Sequence, residues 1–191
     1  MILPLTDQED FNNQDFTLVP LQKAEYSDCI FTNCNFENSD LSNNSFLECT
    51  FIDCNFSNVN VMHTTFNTII FKSCKIVGVL FQNCNTFLLS FKFTDCTLNL
   101  SSFYQLKIQH TTFSNCIMHQ VDFTETDANH VIFKDCDLKQ SIFQQSNLQS
   151  ADFYSAYNLS INPSENKIKQ AKFSKQNISG LLEAYNIRIS D

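Results

Sequence analysis

Tryptophan is absent from this sequence of 191 residues, and glycine occurs only twice, as Gly78 and Gly180. A doubly wound enzyme usually needs glycines at its turns and phosphate loops, so their scarcity argues against a nucleotide-binding fold. No stretch approaches the roughly 20 apolar residues that span a bilayer, and the first ten residues lack the basic region of a signal peptide. We therefore expect a cytoplasmic protein without a membrane partner.

Basic residues are also scarce, and the charge is unevenly distributed. Residues 1–70 contain ten carboxylates against Lys23 alone, residues 71–153 are nearly balanced, and residues 154–191 have a small basic excess. Direct binding to nucleic acid is not expected, because it requires a basic stripe. The acidic surface suits a basic partner, or it serves solubility alone.

Phenylalanine and cysteine, in contrast, are abundant and follow a five-residue grid. Seventeen of the twenty phenylalanines occupy grid centres, and all nine cysteines stand two residues before a grid position, which for Cys84 is position 86, the next one after the last centre of the first block. The centres are Phe11, Phe16, Leu21, Tyr26, Phe31, Phe36, Leu41, Phe46, Phe51, Phe56, Val61, Phe66, Phe71, Ile76 and Phe81, then Phe93, Leu98, Phe103, Ile108, Phe113, Met118, Phe123, Ala128, Phe133, Leu138, Phe143, Leu148 and Phe153. Neither a helix nor a single strand has a period of five, whereas a short repeat of twenty-eight units is typical of a solenoid.

The grid predicts which side chains face the interior. The centre and the residue two before it should both point inward, and the latter position holds Ala24, Val59 or Ser141 where it is not cysteine. Buried free cysteine behaves as a small apolar residue, so we interpret the nine cysteines as core residues and expect no metal and no cofactor. They are Cys29, Cys34, Cys49, Cys54, Cys74, Cys84, Cys96, Cys116 and Cys136.

Four units in each coil would stack residues that are twenty apart, as in the series Phe11, Phe31 and Phe51. The result is a rod of square cross-section, in which successive coils lie ~4.8 Å apart. Stacked cysteines such as Cys34 and Cys54 would then exceed the Cβ separation of a disulfide, about 3.8 Å, and should stay reduced.

The grid divides the chain into segments. Residues 1–10 are expected to cap one end, residues 11–84 and 93–157 form two repeat blocks, and residues 158–191 cap the other end or mediate dimerisation. Between the blocks, residues 85–92 contain two extra residues that form a bulge, a loop or a kink; the candidate loop residues are Thr86, Phe87, Leu88 and Leu89. In the last segment, Ser174 is a plausible N-cap of a short helix. One face of that helix would carry Ile178, Leu181, Leu182 and Tyr185.

Two short matches, Ser150-Ala-Asp-Phe153 and Ser39-Asp-Leu41, resemble the repeat unit of the pentapeptide-repeat family. The resemblance implies an all-β solenoid, namely a right-handed quadrilateral parallel β-helix with a short C-terminal helix. A narrower resemblance rests on the segments 93–107 and 161–173, Leu181-Leu182 and 187–189. These segments resemble the Qnr-type and microcin-immunity proteins, which implies an acidic rod that engages DNA gyrase or topoisomerase IV and forms a homodimer through the C-terminal segment.

No pattern indicates catalysis. The four histidines fall at positions predicted to face water, and no strained nucleophile turn or glycine-rich phosphate loop occurs, so we expect a protein that is not an enzyme. The histidines are His63, His110, His119 and His130.

Two functions remain open. A DNA mimic would compete for a basic DNA groove through an acidic face, with candidate contacts Asp28, Glu37, Asp40, Glu48 and Asp53. These carboxylates are equally compatible with a solvated surface. The alternative is an interaction scaffold with another protein partner, for which outward-facing apolar side chains are the evidence; they are Leu47, Ile52, Ile70, Val77 and Leu80.

Overall fold

A computed structural model describes residues 3–188 and has the predicted architecture, a right-handed parallel β-solenoid with four sides. The strands are short because the chain turns a corner every five residues. They are β1 (Leu5–Asp7), β2 (Asp10–Asn12), β3 (Glu25–Ser27), β4 (Ile30–Thr32), β5 (Ser45–Leu47), β6 (Thr50–Ile52), β7 (Thr65–Asn67), β8 (Ile69–Lys72), β9 (Phe91–Thr94), β10 (Thr112–Ser114) and β11 (Ile132–Lys134).

The four sides are named here by their centres in one coil. The Tyr26 face is the parallel sheet β1-β3-β5-β7, and the Phe31 face is the parallel sheet that contains β2, β4, β6 and β8–β11. The Phe36 face and the Leu41 face are held by isolated parallel bridges, such as Asn35↔Asn55 and Asp40↔Asn60. The predicted twenty-residue register is confirmed, since Phe31 pairs with Phe51.

Left-handed backbone at the corners explains how so few glycines suffice. The second residue after a centre has positive φ at nearly every corner, as at Asn33 (52°), Asn38 (56°) and Asn43 (59°). Asparagine and aspartate tolerate this conformation better than other residues with a side chain. The abundance of asparagine therefore has a structural cause.

Aromatic rings fill the interior in continuous columns. On the Phe31 face, nine rings from Phe11 to Phe173 stack with centroids 4.5–5.3 Å apart. Rings of adjacent faces meet edge to face, as do Phe51 and Phe56 at 90°. Both geometries are favourable for aromatic pairs and add about 0.5–1.5 kcal/mol each beyond burial.

The cysteines lie in this core, as predicted, and all nine are buried and free. Seven of the nine thiols donate to a carbonyl of the preceding coil, as does Cys49, whose Sγ lies 3.3 Å from the carbonyl oxygen of Tyr26. Burial raises the pKa of Cys49 and Cys84 to about 12. Such thiols remain protonated and unreactive at neutral pH.

The two extra residues of segment 85–92 form a short surface turn. Thr65 pairs with Asn85, twenty residues on, whereas Ile69 pairs with Phe91, twenty-two residues on, so the insertion lies wholly within residues 86–90. Phe91 turns into the core, and its ring lies 5.2 Å from that of Phe81. Strands β8 and β9 pair directly, so the two repeat blocks form one uninterrupted stack.

The segment 1–10, predicted as the N-terminal cap, contains β1 and the start of β2, which pair with the following coil. Near the other end, the expected amphipathic helix is replaced by two 3-10 turns, Ile178–Leu181 and Glu183–Tyr185. The outermost parts of both predicted segments, residues 1–2 and 189–191, lie outside the described residues.

Contacts with the last coil explain why residues 174–185 do not form a regular helix. The side chain of Asn177 accepts a hydrogen bond from the backbone N–H of Ser174 and donates to the carbonyls of Phe153 and Ala156. Gly180, a poor helix former, is packed against the backbone of Leu159. Tertiary contacts therefore override the helical pattern. Within residues 3–188, no helix is long and apolar enough to cross a bilayer.

Candidate functional site

The five predicted acidic contact residues surround the first block of the rod. Asp28 and Glu48 lie one coil apart on the corner between the Tyr26 and Phe31 faces, and Asp53 lies on the next corner. Glu37 is on the Phe36 face and Asp40 on the Leu41 face. Because each coil has four faces, successive repeats lie on successive faces. Of the five acidic residues, only Asp28 and Glu48 therefore occupy the same corner in adjacent coils.

Some of these carboxylate residues also have structural roles in the coil. The backbone φ is 53° at Asp28, 55° at Glu48 and 53° at Asp53, so all three occupy left-handed corners. Asp40 accepts the backbone N–H of Ser42 at 3.0 Å, which closes the next turn. Partial burial acts to raise the pKa of Asp40, but hydrogen bonds from Ser42 and Lys23 outweigh it and hold the pKa below its ordinary value.

Little positive charge opposes these carboxylates in the first block. Lys23 lies 3.2 Å from Asp40 and also donates to the carbonyl of Ser42 at 2.7 Å. No other ion pair involves residues 3–70 in the part of the chain that the structure describes. Amide side chains instead bridge successive coils, as where Asn60 donates to Asp40 at 2.9 Å. Residues 3–70 therefore present fixed, largely uncompensated negative charge.

The predicted loop residues split into an exposed tip and an anchor. Phe87 is 70% exposed and Leu88 is 59% exposed, whereas Leu89 is half-buried and packs against the core. The turn is held by the side chain of Asn85, which accepts the backbone N–H of Phe87 at 3.1 Å. The tip thus offers an apolar contact point, although it is too short to form a long projecting loop.

The four predicted dimerisation residues also separate. Leu181 packs against the core of its own chain, and Leu182 is half-buried. Ile178 and Tyr185 are exposed, and the hydroxyl of Tyr185 lies 3.1 Å from that of Ser164. Only Ile178 and Tyr185 are available to a second copy of the chain.

The first coil contains a feature that the sequence reasoning missed. A cavity of about 790 Å³ opens at the N-terminal end, and it is lined by apolar residues including Leu5, Phe11, Leu18 and Val19. The unit 16–20 departs from the usual corner geometry, because Leu18, like Lys23 and Asn83, lacks the left-handed conformation found at most corners. The sequence signal is the apolar pair Leu18-Val19 directly before Pro20, since the first of these two positions is polar in most other repeats.

The histidines form no convergent site. His119 lies 2.8 Å from Asp137, and the rings of His110 and His130 stack 5.1 Å apart on one corner. Among residues 3–188, no group of three or more histidine, cysteine or carboxylate side chains is arranged to hold a metal ion.

Comparisons with known proteins agree with this architecture. A family model described as "Pentapeptide repeat region" matches residues 24–103, 86–155 and 106–181. No curated protein matches the sequence.

Among solved structures, the chain is similar to HetL, a pentapeptide repeat protein involved in heterocyst differentiation regulation from the cyanobacterium Nostoc sp. Strain PCC 7120. The TM-score is 0.67 at 10% identity, over 91% of this chain and 88% of that one. QnrB1, a plasmid-mediated fluoroquinolone resistance protein, matches with a TM-score of 0.39 at 16% identity, over 96% of this chain and 100% of that one. The likeness to HetL concerns the fold alone.

Proposed function

The chain belongs to the pentapeptide-repeat family, and we propose that it is a non-enzymatic acidic rod that mimics DNA and binds DNA gyrase or topoisomerase IV. In the cytoplasm it would modulate or protect the topoisomerase, in the sense of resistance to quinolones or to gyrase toxins. The contact surface is the first block, with Asp28 and Glu48 at its most regular acidic corner.

A single observation carries this proposal: residues 1–70 contain ten carboxylates and one lysine. The register of the coils repeats the corner positions at the spacing of sheet strands, ~4.8 Å. A basic groove that attracts DNA phosphates attracts a regular array of carboxylates by the same electrostatics. The structural roles of Asp28 and Glu48 do not remove their charge.

The test is the effect of the purified protein on supercoiling by gyrase and on fluoroquinolone-stabilised cleavage. We expect the combined variant Asp28→Asn, Glu48→Gln, Asp53→Asn to require a higher concentration for any effect, because it removes three charges while keeping residues that suit the corners. Its matched control removes three charges from corners of the second block, Asp95→Asn, Glu125→Gln and Asp135→Asn. The proposal fails if wild-type protein leaves both reactions unchanged, or if both variants act alike.

We also propose that the chain forms a homodimer through its C-terminal segment. The exposed side chains of Ile178 and Tyr185 support this proposal, whereas Leu181 is already used in the chain's own core. Sizing by light scattering should therefore give a dimer for wild type and a monomer for Ile178→Asp. Ile142→Asp, which alters an exposed isoleucine on the Leu41 face, is the control. A monomeric wild type would contradict the proposal.

A second candidate function is an interaction scaffold for another protein, favoured by the exposed apolar tip Phe87-Leu88. Exposed apolar side chains at the tip of a turn are suited to a pocket on a partner. If this function is correct, Phe87→Ser should abolish binding of the partner protein and leave the results of the gyrase assays unchanged. Equal interaction by wild type and variant would argue against it.

A further inference from the structure

The first coil has two unpaired strand edges. Every inner strand pairs on both sides, but β1 and β2 stand at the ends of their sheets and pair only with β3 and β4 among residues 3–188. Exposed edges of this kind accept a further strand through backbone hydrogen bonds. Within residues 3–188, no strand or turn covers the free edges of β1 and β2.

The interior at this end is apolar and accessible. One side of the Phe11 ring stacks on Phe31 at 4.5 Å, and the ring itself is only half-buried. Leu18 and Val19 rise beside it and are 78% and 73% exposed. Together these side chains line the cavity of about 790 Å³. A strand added to the edge would place alternate side chains over this cavity, where an aromatic or branched residue would continue the column of rings.

The rim of the cavity is strongly acidic. Asp7, Glu9 and Asp15 line it, and residues 3–22 contain no lysine, arginine or histidine. The next cation along the chain, Lys23, donates to Asp40 and Ser42 of the next coil. A second copy of this end would meet the rim with equal negative charge, so the charge favours a basic occupant over self-association.

We propose that the open first coil binds an extended segment of a partner protein, in which lysine or arginine residues alternate with apolar or aromatic ones. The segment pairs with β1 or β2, its apolar side chains cover Phe11 and contact Leu18 and Val19, and its cations face Asp7, Glu9 and Asp15. This site lies at the end of the same acidic part of the chain but does not include the corners at Asp28, Glu48 and Asp53, and binding of a peptide segment there goes beyond the proposed topoisomerase function.

The test is titration of the full chain with a labelled peptide, acetyl-Lys-Val-Lys-Phe-Lys-Val-amide, followed by fluorescence anisotropy. We expect saturable binding that weakens with salt, and no binding of the same peptide with glutamate in place of lysine. The variant Leu18→Ser, Val19→Ser should bind about tenfold more weakly, because it removes apolar area that the peptide buries. Asp7→Asn, Glu9→Gln should reduce both the affinity and its salt dependence.

Matched controls change the same chemistry elsewhere. Phe87→Ser, Leu88→Ser removes an exposed apolar pair, and Asp95→Asn, Asp135→Asn removes two charges; both should bind the peptide like wild type. Urea midpoints equal to wild type would establish that the end variants are folded.

The proposal is overturned by absence of saturable binding, by equal binding of the glutamate peptide, or by equal binding of the end variants. It is also overturned if the chain self-associates and Leu18→Ser, Val19→Ser abolishes that association. Because the assay contains no topoisomerase, its outcome is independent of the gyrase experiments.

Discussion

The last coil of the rod is covered by a folded segment, whereas the first coil opens its apolar interior to solvent. At the C-terminal end, Phe173 continues the ring column, Asn177 satisfies two carbonyls of the last coil, and Gly180 allows close backbone approach. At the N-terminal end, Phe11 is half-buried and Leu18 is exposed beside an acidic rim. Both ends derive from the same repeat, so the difference lies in the non-repeating residues that follow or interrupt it. A covered end contributes to stability, and an open end is free for binding.

The largest expected effect is the loss of stability when a buried ring is removed from the middle of the rod, compared with removal of a ring at the open end. Phe113 is fully buried between Phe93 and Phe133, so Phe113→Ala should lower the free energy of unfolding by about 3–5 kcal/mol. Phe11→Ala removes a half-buried ring that stacks on one side only, and should cost much less. Urea denaturation of both variants measures the contrast. Equal costs would show that the first coil is as well packed as the centre.

The next effect concerns the close approach at the covered end. A Cβ atom at Gly180 would clash with the carbonyl oxygen of Leu159, a backbone atom that cannot move alone. We expect Gly180→Ala to destabilise the protein by about 1–3 kcal/mol and to displace the last turns. Ser179→Ala, an exposed neighbour, is the control and should change the urea midpoint little.

A loss of stability of similar size is expected when the C-terminal cap keeps its backbone but loses its side-chain hydrogen bonds. The side-chain amide of Asn177 donates to the carbonyl oxygens of Phe153 at 2.6 Å and Ala156 at 2.9 Å. Asn177→Ala leaves both buried carbonyls without this donor, at a cost of about 1–3 kcal/mol. Hydrogen exchange should then speed up in residues 174–185 before it does so in the central coils. The exposed control Gln176→Ala should exchange like wild type, and uniform acceleration along the whole rod would contradict a local cap.

The comparison of the ends also separates what the sequence can predict from what it cannot. The five-residue period determines the register, so the pairing of Phe31 with Phe51 and the burial of Cys49 follow from spacing alone. The cap does not repeat, and its structure depends on Asn177 meeting two particular carbonyls. A helical spacing of apolar residues in 178–185 therefore predicted the wrong local structure.

The candidate surfaces were predictable only in part, for the same reason. Spacing identified Asp28 and Glu48 as outward-facing, but it did not indicate that their corner requires a left-handed backbone. The inward turn of Phe91 and the open cavity beside Leu18 arise where the period fails. At such positions the contacts of one coil with the next decide the conformation, and a single sequence does not reveal them.

The smallest expected effect is a pH dependence at the open end. The hydroxyl and the backbone N–H of Thr17 donate to Oδ1 of Asp15 at 2.6 and 3.0 Å and hold the pKa of this carboxyl below its ordinary value of 3.8. Because the pKa is lower in the folded state, the stabilisation is fully present above the ordinary value and is lost as the pH falls through the folded value. The urea midpoint of Asp15→Asn should therefore lie slightly below that of wild type near neutral pH and approach it in acid. Asp10→Asn removes an equal charge from the same coil without touching these hydrogen bonds, so its difference from wild type isolates the general effect of charge. If both variants respond to pH alike, the bonds of Thr17 add nothing to the stability of the first coil.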